Sequence, residues 1–139
     1  MGGPMARQVC FTALQYPISI AEMPGFSRDA DRLLSQQALH ALVDFVALHP
    51  SAGDPIPDSG GLRTLRWAAS GSGIRGGVRV VYYFRDLNMP LYMLAIYGRG
   101  ERADFSSVER EEMRRIVEEL VEAHYQRRVA TAASQLRPA

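Results

Sequence analysis

The sequence contains one cysteine, Cys10, and three histidines, His40, His49 and His124. A single cysteine excludes an internal disulfide framework, and the scattered histidines have no metal-ligand spacing, so we expect neither a metal nor another cofactor. No segment approaches the roughly 20 consecutive apolar residues of a membrane-spanning helix. The first eight residues lack the apolar run of a signal peptide. The sequence therefore predicts a cytoplasmic protein with no membrane partner.

Lysine is also missing, because all 16 basic residues are arginine. A guanidinium group keeps its charge at neutral pH and presents a planar set of donors suited to phosphate, but it is a poor proton shuttle. Residues 61–102 contain seven arginines against two acidic residues, a net charge of +5, whereas the rest of the chain has a net charge of −4. Such a basic segment suits a polyanion such as RNA or an acidic protein partner. The alternative is solvated charge with no partner.

The length of 139 residues and a hydrophobic content of 47% indicate one domain with a packed core. We expect residues 1–126 to form this domain. Residues 127–139 lose the apolar periodicity, which predicts a frayed helix end and a C-terminal tail.

The first half of the chain predicts a short strand followed by two helices. Residues 9–20 have a pattern compatible with a strand that ends early. Ser27 is a candidate N-cap for a helix over residues 28–34, and Ser35 is a candidate N-cap for a second helix that ends near Leu48.

The middle of the chain predicts three strands, over residues 62–67, 78–84 and 91–97. The links between them are short enough for an antiparallel meander. Alternation in the second strand places Arg79 on the face opposite Val78 and Val80.

A last helix begins after Ser106, because Ser106 and Glu109 form the capping-box pattern S-x-x-E. An apolar stripe follows at helical spacing. It consists of Met113, Ile116, Val117, Leu120, Val121 and His124.

Three segments in this order resemble the RelE/ParE superfamily of bacterial toxins, and the HigB-like branch of type II toxin–antitoxin systems in particular. They are Gly61-Leu-Arg-Thr-Leu-Arg-Trp67, Gly76-Gly-Val-Arg-Val-Val-Tyr-Tyr83 and Leu91-Tyr-Met-Leu-Ala-Ile-Tyr97-Gly-Arg-Gly-Glu101. The resemblance covers roughly residues 10–124. It implies an α+β fold of the RelE type, with a small twisted, mostly antiparallel sheet of about four strands, two N-terminal helices and one C-terminal helix.

The same resemblance implies an activity and partners. It implies a ribosome-dependent mRNA endoribonuclease (mRNA interferase), in which the 2′-hydroxyl of one nucleotide attacks the adjacent phosphate. The implied partners are mRNA on the ribosome and a cognate antitoxin protein, which binds the toxin in a hetero-oligomer.

Four residues match the family's catalytic positions. Arg79 matches the arginine of its Gly-x-Arg-x-x-Tyr strand, and Arg66 matches a basic position on the preceding strand. Arg99 and Glu101 match the lysine and glutamate of the HigB-like ending Tyr-Ala-Lys-Asn-Glu. The guanidinium groups would stabilise the charge of the pentavalent phosphorus. Glu101 would be the general base, and its alternative role is an ion pair with Arg79 or Arg99.

Arg63, Arg75, Tyr97 and Arg102 are further candidates for RNA contacts. Arg63 has the opposite strand parity from Arg66, so we expect it to contact only substrate backbone or the antitoxin. Tyr97 is either a core residue at the strand end or a platform that stacks on a base.

The sequence also departs from the family. Thr64 replaces a commonly basic residue, and Phe105 or Ser106 falls where some members have a catalytic tyrosine. These departures keep two alternatives open. One is a ParE-like toxin that inhibits DNA gyrase without nuclease activity, and the other is a non-toxic relic that only binds its antitoxin.

Overall fold

The computed structural model describes residues 13–68, 77–98, 100 and 106–136. It has the α+β class expected from the sequence. In chain order the elements are β1 (Ile20–Glu22), α1 (Pro24–Leu33), α2 (Gln36–Leu48), β2 (Asp54–Pro55), β3 (Leu62–Trp67), β4 (Val78–Tyr83), β5 (Leu91–Gly98) and α3 (Ser107–Leu136).

The described strands form one mixed sheet in the order β1-β5-β4-β3-β2. The neighbours from β2 to β5 are antiparallel, which is the expected meander, whereas β1 runs parallel to β5 with Ile20 opposite Leu91. The expectation of about four strands is therefore corrected to five. The additional strand, β2, has only two residues within a proline-rich turn segment, which is too short to show a period of two.

The first strand lies later than expected. The region predicted for it was 9–20, of which residues 9–12 lie outside the described part, and β1 begins only at Ile20. Its position is set by parallel pairing with its neighbour β5 rather than by its own composition.

The two N-terminal helices differ in how well their starts were predicted. The N-cap at Ser35 is confirmed, since its hydroxyl oxygen accepts from the backbone N–H of Ala38 at 3.1 Å. The N-cap at Ser27 is wrong, because α1 begins at Pro24. Proline suits the first helical turn, where its missing N–H has no partner to lose. Ser27 instead donates its hydroxyl to Glu22 Oε1 at 2.8 Å.

Helices cover both faces of the sheet. On one face α1 and α2 pack against β4 and β5 through a core that includes Phe26, Leu42, Val46, Val80 and Tyr82. On the other face, α3 packs against a second core, which includes Leu62, Val81, Tyr83, Tyr92 and Val117. Alternation along β4 supplies both cores, so its polar position Arg79 lies on the α3 face.

The capping box at the start of α3 is confirmed. The backbone N–H of Ser106 donates to Glu109 Oε1 at 2.9 Å, and the N–H of Glu109 donates to Ser106 Oγ at 3.1 Å. The helix continues to Leu136, past the expected loss of helical order at residue 127. Among the described residues, no helix is both long enough and apolar enough to cross a membrane.

Candidate functional site

Arg66, Arg79 and Tyr97 form one row across three neighbouring strands. Arg66 of β3 is the register partner of Arg79 of β4, which in turn is the register partner of Tyr97 of β5. Arg66 is in phase with Leu62, and Arg79 is in phase with Val81, which places the row on the α3 face. Directly opposed side chains of antiparallel strands have Cβ atoms roughly 4.5–5.5 Å apart. Two of the three arginines expected to converge are therefore neighbours on one face.

The members of this row differ in exposure. The side chain of Arg66 is exposed and makes no hydrogen bond or ion pair with the part of the chain that the structure describes. Arg79 and Tyr97 are half-buried, and Tyr97 packs against the core beneath α3. Exposure along the row is therefore greatest on the β3 side.

Arg110 of α3 adds a third described guanidinium group to this region. It precedes Met113 by three residues and Val117 by seven, and both of these pack against the sheet, so Arg110 lies on the sheet-facing side of the helix. Glu109 and Met113, which lie in the same part of α3, line a cleft with Tyr97, the member of the row on β5. It is half-buried and has no ion pair with any described residue.

Arg114, one turn further along α3, has a structural role. Its Nη2 donates to the carbonyl oxygen of Asp58 at 3.2 Å and lies 3.7 Å from Glu111 Oε2. These contacts hold α3 against the connection between β2 and β3. The guanidinium of Arg114 is therefore bound within the protein, whereas that of Arg110 has no ion pair with any residue that the structure describes.

Arg63 lies on the opposite face from Arg66, as its parity predicts. Its Nη1 donates to the carbonyl oxygens of Gly53 at 2.6 Å and Ser51 at 3.3 Å, which holds the loop before β2. The structure thus separates Arg63 from the row, and its contacts are with the protein's own backbone.

Tyr82 completes the anchoring of this loop. Its buried hydroxyl donates to the carbonyl oxygen of Pro50 at 2.7 Å and accepts from the backbone N–H of Gly53 at 2.9 Å. Burial raises the pKa of Tyr82 above its usual value near 10, and the hydrogen bond from Gly53 and the charge of Arg63 oppose that rise. The neutral phenol is therefore the form that the fold stabilises.

Four predicted site residues lie outside the described residues, namely Arg75, Arg99, Glu101 and Arg102. The proposed general base and the third predicted catalytic arginine are among them. The described part of the site therefore consists of the row and Arg110.

An apolar cleft of 260 Å³ adjoins the row where β5 meets the first turns of α3. Leu94, Tyr97 and Met113 contribute apolar lining, and Glu109 and Glu112 contribute carboxylates. A larger cleft of 440 Å³ lies between residues 14–19 and 87–90, has no charged side chain in its lining, and is not part of the basic site.

The chemistry that the described site offers is that of guanidinium groups, which suit an anion, and not that of metal ligands. Within residues 13–68, 77–98, 100 and 106–136, no group of three or more histidine, cysteine, aspartate or glutamate side chains could hold a metal ion. Guanidinium groups bind phosphate with charge-assisted, bidentate hydrogen bonds.

Sequence reasoning missed Arg110 as a site residue. The sequence pattern does indicate it, because Arg110 is a charged residue in phase with an apolar helical stripe. That stripe includes Met113, Val117 and Val121. A charge on the core-facing side of an amphipathic helix requires a partner or a function.

The sequence matches no known protein-family model.

Proposed function

We propose that this protein is a RelE-like toxin of a type II toxin–antitoxin system and that it cleaves mRNA on the ribosome. The observation that supports the proposal is the direct register pairing of Arg66 with Arg79 on the α3 face, next to Tyr97. Two guanidinium groups at this spacing can hold two oxygens of one phosphate.

In the proposed reaction the 2′-oxygen of a ribose bonds to the adjacent phosphorus, and the bond from phosphorus to the 5′-oxygen of the next nucleotide breaks. The 2′-hydroxyl loses its proton to a base, and the departing 5′-oxygen gains one. The products are a 2′,3′-cyclic phosphate and a 5′-hydroxyl. The pentavalent intermediate carries extra negative charge, which Arg66, Arg79 and Arg110 would stabilise.

The composition of the site explains why the ribosome would be needed. Arginine is always charged and cannot shuttle protons near neutral pH. The described row contains no histidine or lysine, and the expected base is Glu101. Orientation of the reacting groups can lower an activation barrier by up to roughly 7–11 kcal/mol, and holding the 2′-oxygen in line with the phosphorus is an orientation of this kind. The ribosome would supply that orientation.

The basic row also suits the proposed partner. An antitoxin that neutralises the toxin by covering Arg66 and Arg79 would need carboxylates or another anion at its contact surface. We place this partnership in the cytoplasm, where ribosomes and mRNA are present.

The test is an mRNA cleavage assay with purified protein and ribosomes, read by primer extension. Arg79→Ala and Arg66→Ala should each reduce the cleavage rate by about 100-fold or more, the loss typical of removing one donor to a developing charge. Arg28→Ala is the matched control. It also removes one guanidinium group, but Arg28 lies on α1 and its side chain is 76% exposed. This control should retain the wild-type rate.

The alternatives make different predictions in the same experiment. A gyrase inhibitor would leave mRNA intact and would inhibit DNA supercoiling. A non-toxic relic would do neither. Either result would overturn the nuclease proposal, and so would equal cleavage by Arg79→Ala and Arg28→Ala.

A further inference from the structure

We propose that a second cleft, toward the C-terminal end of α3, binds a nucleotide, either free or within a single-stranded RNA. This cleft has a volume of 390 Å³ and lies between α3 and the connection from β4 to β5. Its volume is within the range of roughly 300–1,000 Å³ that is typical of small-molecule sites. The β4–β5 cleft, as we name it, is lined by residues that include Arg85, Asp86, Met89, His124, Tyr125 and Arg128.

Two guanidinium groups line the β4–β5 cleft from different elements. Arg85 belongs to the connection after β4, and Arg128 belongs to α3. The side chain of Arg128 is exposed and makes no hydrogen bond or ion pair with any residue that the structure describes. Guanidinium groups bind phosphate through charge-assisted, often bidentate hydrogen bonds. Arginines contributed by both walls of one cleft can therefore hold a phosphate between them.

The carboxylate of Asp86 also lines the cleft, but the protein's own groups contact both of its oxygens. Its Oδ1 accepts from the backbone N–H of Asn88 at 2.8 Å, and its Oδ2 lies 3.7 Å from Arg85 Nε. A separation of 3.7 Å is too long for a hydrogen bond, so the donors of Arg85 remain able to bind a ligand. With two positive charges and one negative charge, and with His124 neutral, the lining has a net charge of +1.

Tyr125 provides a planar surface beside these charges. It is 60% exposed, and the buried Met89 adds apolar lining. Proteins hold single-stranded nucleic acids with this combination, because any base can stack on an aromatic ring while basic side chains bind the phosphates. An acidic peptide would use the two arginines but has no base to stack on the ring. The combination therefore favours a nucleotide over an acidic peptide.

His124 contributes a ring nitrogen that lacks a partner. It lines the cleft one position before Tyr125, and its buried Nε2 has no hydrogen-bond partner among the described residues. Most buried side-chain polar atoms in proteins are hydrogen-bonded, because an unpaired one is unfavourable. In the proposed complex the ring turns toward the cleft, as side chains commonly do on binding, and Nε2–H donates to a phosphate oxygen.

The β4–β5 cleft is separate from the row of Arg66, Arg79 and Tyr97. Tyr97 lies near the end of β5, whereas the cleft adjoins the connection that precedes Leu91 at its start. Six residues of extended strand span about 20 Å. Nucleotide binding in the cleft therefore does not depend on the proposed nuclease, and the failure of either proposal leaves the other standing.

The first test measures nucleotide binding to the full chain with the row removed by Arg66→Ala and Arg79→Ala. Calorimetry with adenosine 5′-monophosphate tests a free nucleotide, and fluorescence anisotropy with labelled hexaadenylate tests RNA. Comparable affinities would identify a free nucleotide as the ligand, and a strong preference for hexaadenylate would identify RNA. Absence of saturable binding of both ligands up to about 1 mM overturns the proposal.

Variants in the same background locate the binding site. Arg128→Gln and Tyr125→Ala should each weaken binding about tenfold, through loss of a phosphate contact or of base stacking. Tyr125→Phe keeps the ring and should bind as the parent protein does. Arg127→Gln is the matched control for charge, because Arg127 is adjacent in α3 but does not line the cleft. Equal losses in Arg127→Gln and Arg128→Gln would indicate non-specific attraction and would overturn the site.

His124→Phe distinguishes a ligand contact from a structural role. The substitution keeps an aromatic ring and removes the unpaired buried nitrogen, so the free energy of unfolding should not fall, whereas nucleotide binding should weaken. Urea unfolding and calorimetry measure the two effects. Unchanged affinity would overturn the contact with Nε2.

Competition with a hexaglutamate peptide tests the other class of occupant. This peptide carries negative charge but no base, so it should displace labelled hexaadenylate much less effectively than unlabelled hexaadenylate does. Equally effective displacement would show that the cleft recognises charge alone and would overturn its assignment to a nucleotide.

Discussion

Arg66 and Arg79 are opposed directly across β3 and β4, with both side chains on the sheet face that α3 covers. Two like charges at this position are unfavourable for the fold, because directly opposed like-charged residues destabilise an antiparallel pair. Arg66 is the more exposed of the two, so the effect of this repulsion is best tested there.

The stability cost of this pair is testable. Arg66→Gln should raise the free energy of unfolding by about 0.2–1 kcal/mol at low salt, since it removes the repulsion. The gain should shrink at high salt, which screens exposed charges. Urea denaturation at two salt concentrations measures both effects. Arg66→Lys, which keeps the charge, is the control, and a destabilised Arg66→Gln protein would show that Arg66 has a favourable partner.

The position of Arg110 predicts a contribution to binding of single-stranded RNA. Arg110→Gln should weaken binding and should reduce the slope of log affinity against log salt by about 0.7, the value for loss of one phosphate contact. Fluorescence anisotropy with a labelled oligoribonucleotide at several salt concentrations provides the slope. Arg115→Gln is the matched control, because Arg115 is exposed on the outer side of the same helix. An equal change in both variants would mean that Arg110 acts only through net charge.

Removal of the Tyr82 hydroxyl should destabilise the fold. Tyr82→Phe leaves the carbonyl of Pro50 and the N–H of Gly53 without their buried partner, which costs about 1–3 kcal/mol. Thermal or urea unfolding measures this loss. Tyr125→Phe, which removes an exposed hydroxyl, should have little effect, and similar losses in the two variants would argue against the anchoring role.

The raised pKa of Tyr82 predicts a loss of stability at alkaline pH. The unfolded state releases the phenol proton near pH 10, before the folded state does, so above that pH the folded state binds more protons and the free energy of unfolding falls. The contribution is complete below pH 10. Tyr82→Phe should therefore lose less stability than wild type between pH 9 and pH 11, as measured by urea unfolding. A parallel pH dependence in the two proteins would contradict the assignment.

Gly77 is required where the chain enters β4. Its φ is +77°, and a Cβ atom there would collide with the backbone carbonyl oxygen of Trp67. Gly77→Ala should cost more than the roughly 1–2 kcal/mol of a left-handed backbone and should disturb the pairing of β3 with β4. Gly100→Ala is the comparison, because Gly100 has a φ of +88° but open space around it. Urea unfolding of both variants separates backbone strain from the collision.

Local signals predicted much of the fold. The N-cap at Ser35 and the capping box of Ser106 and Glu109 depend on residues three positions apart, so the sequence shows them directly. The three long strands show a period of two or a continuous apolar run. Ser27 was misleading because a proline three residues earlier starts the helix.

The short strands could not be predicted in the same way. β1 and β2 have three and two residues, and each becomes a strand only because a neighbour offers backbone hydrogen-bonding groups. The extension of α3 past residue 127 was also missed, because that segment lacks the periodicity that packing on the sheet imposes on the first half of the helix.

The amino-acid sequence by itself determined which residues are basic, which side chains alternate along each strand and where the capped helices begin. These properties depend only on composition and on neighbours a few positions away in the chain. The tertiary structure decided that Arg66 lies opposite Arg79 and that Arg63 lies on the other face, bound to a loop. It also decided that Arg110 is on the side of α3 that faces the sheet. These relationships depend on the register between strands and on the position of a helix over the sheet. Both are set by packing between segments distant in the chain, which no local pattern specifies.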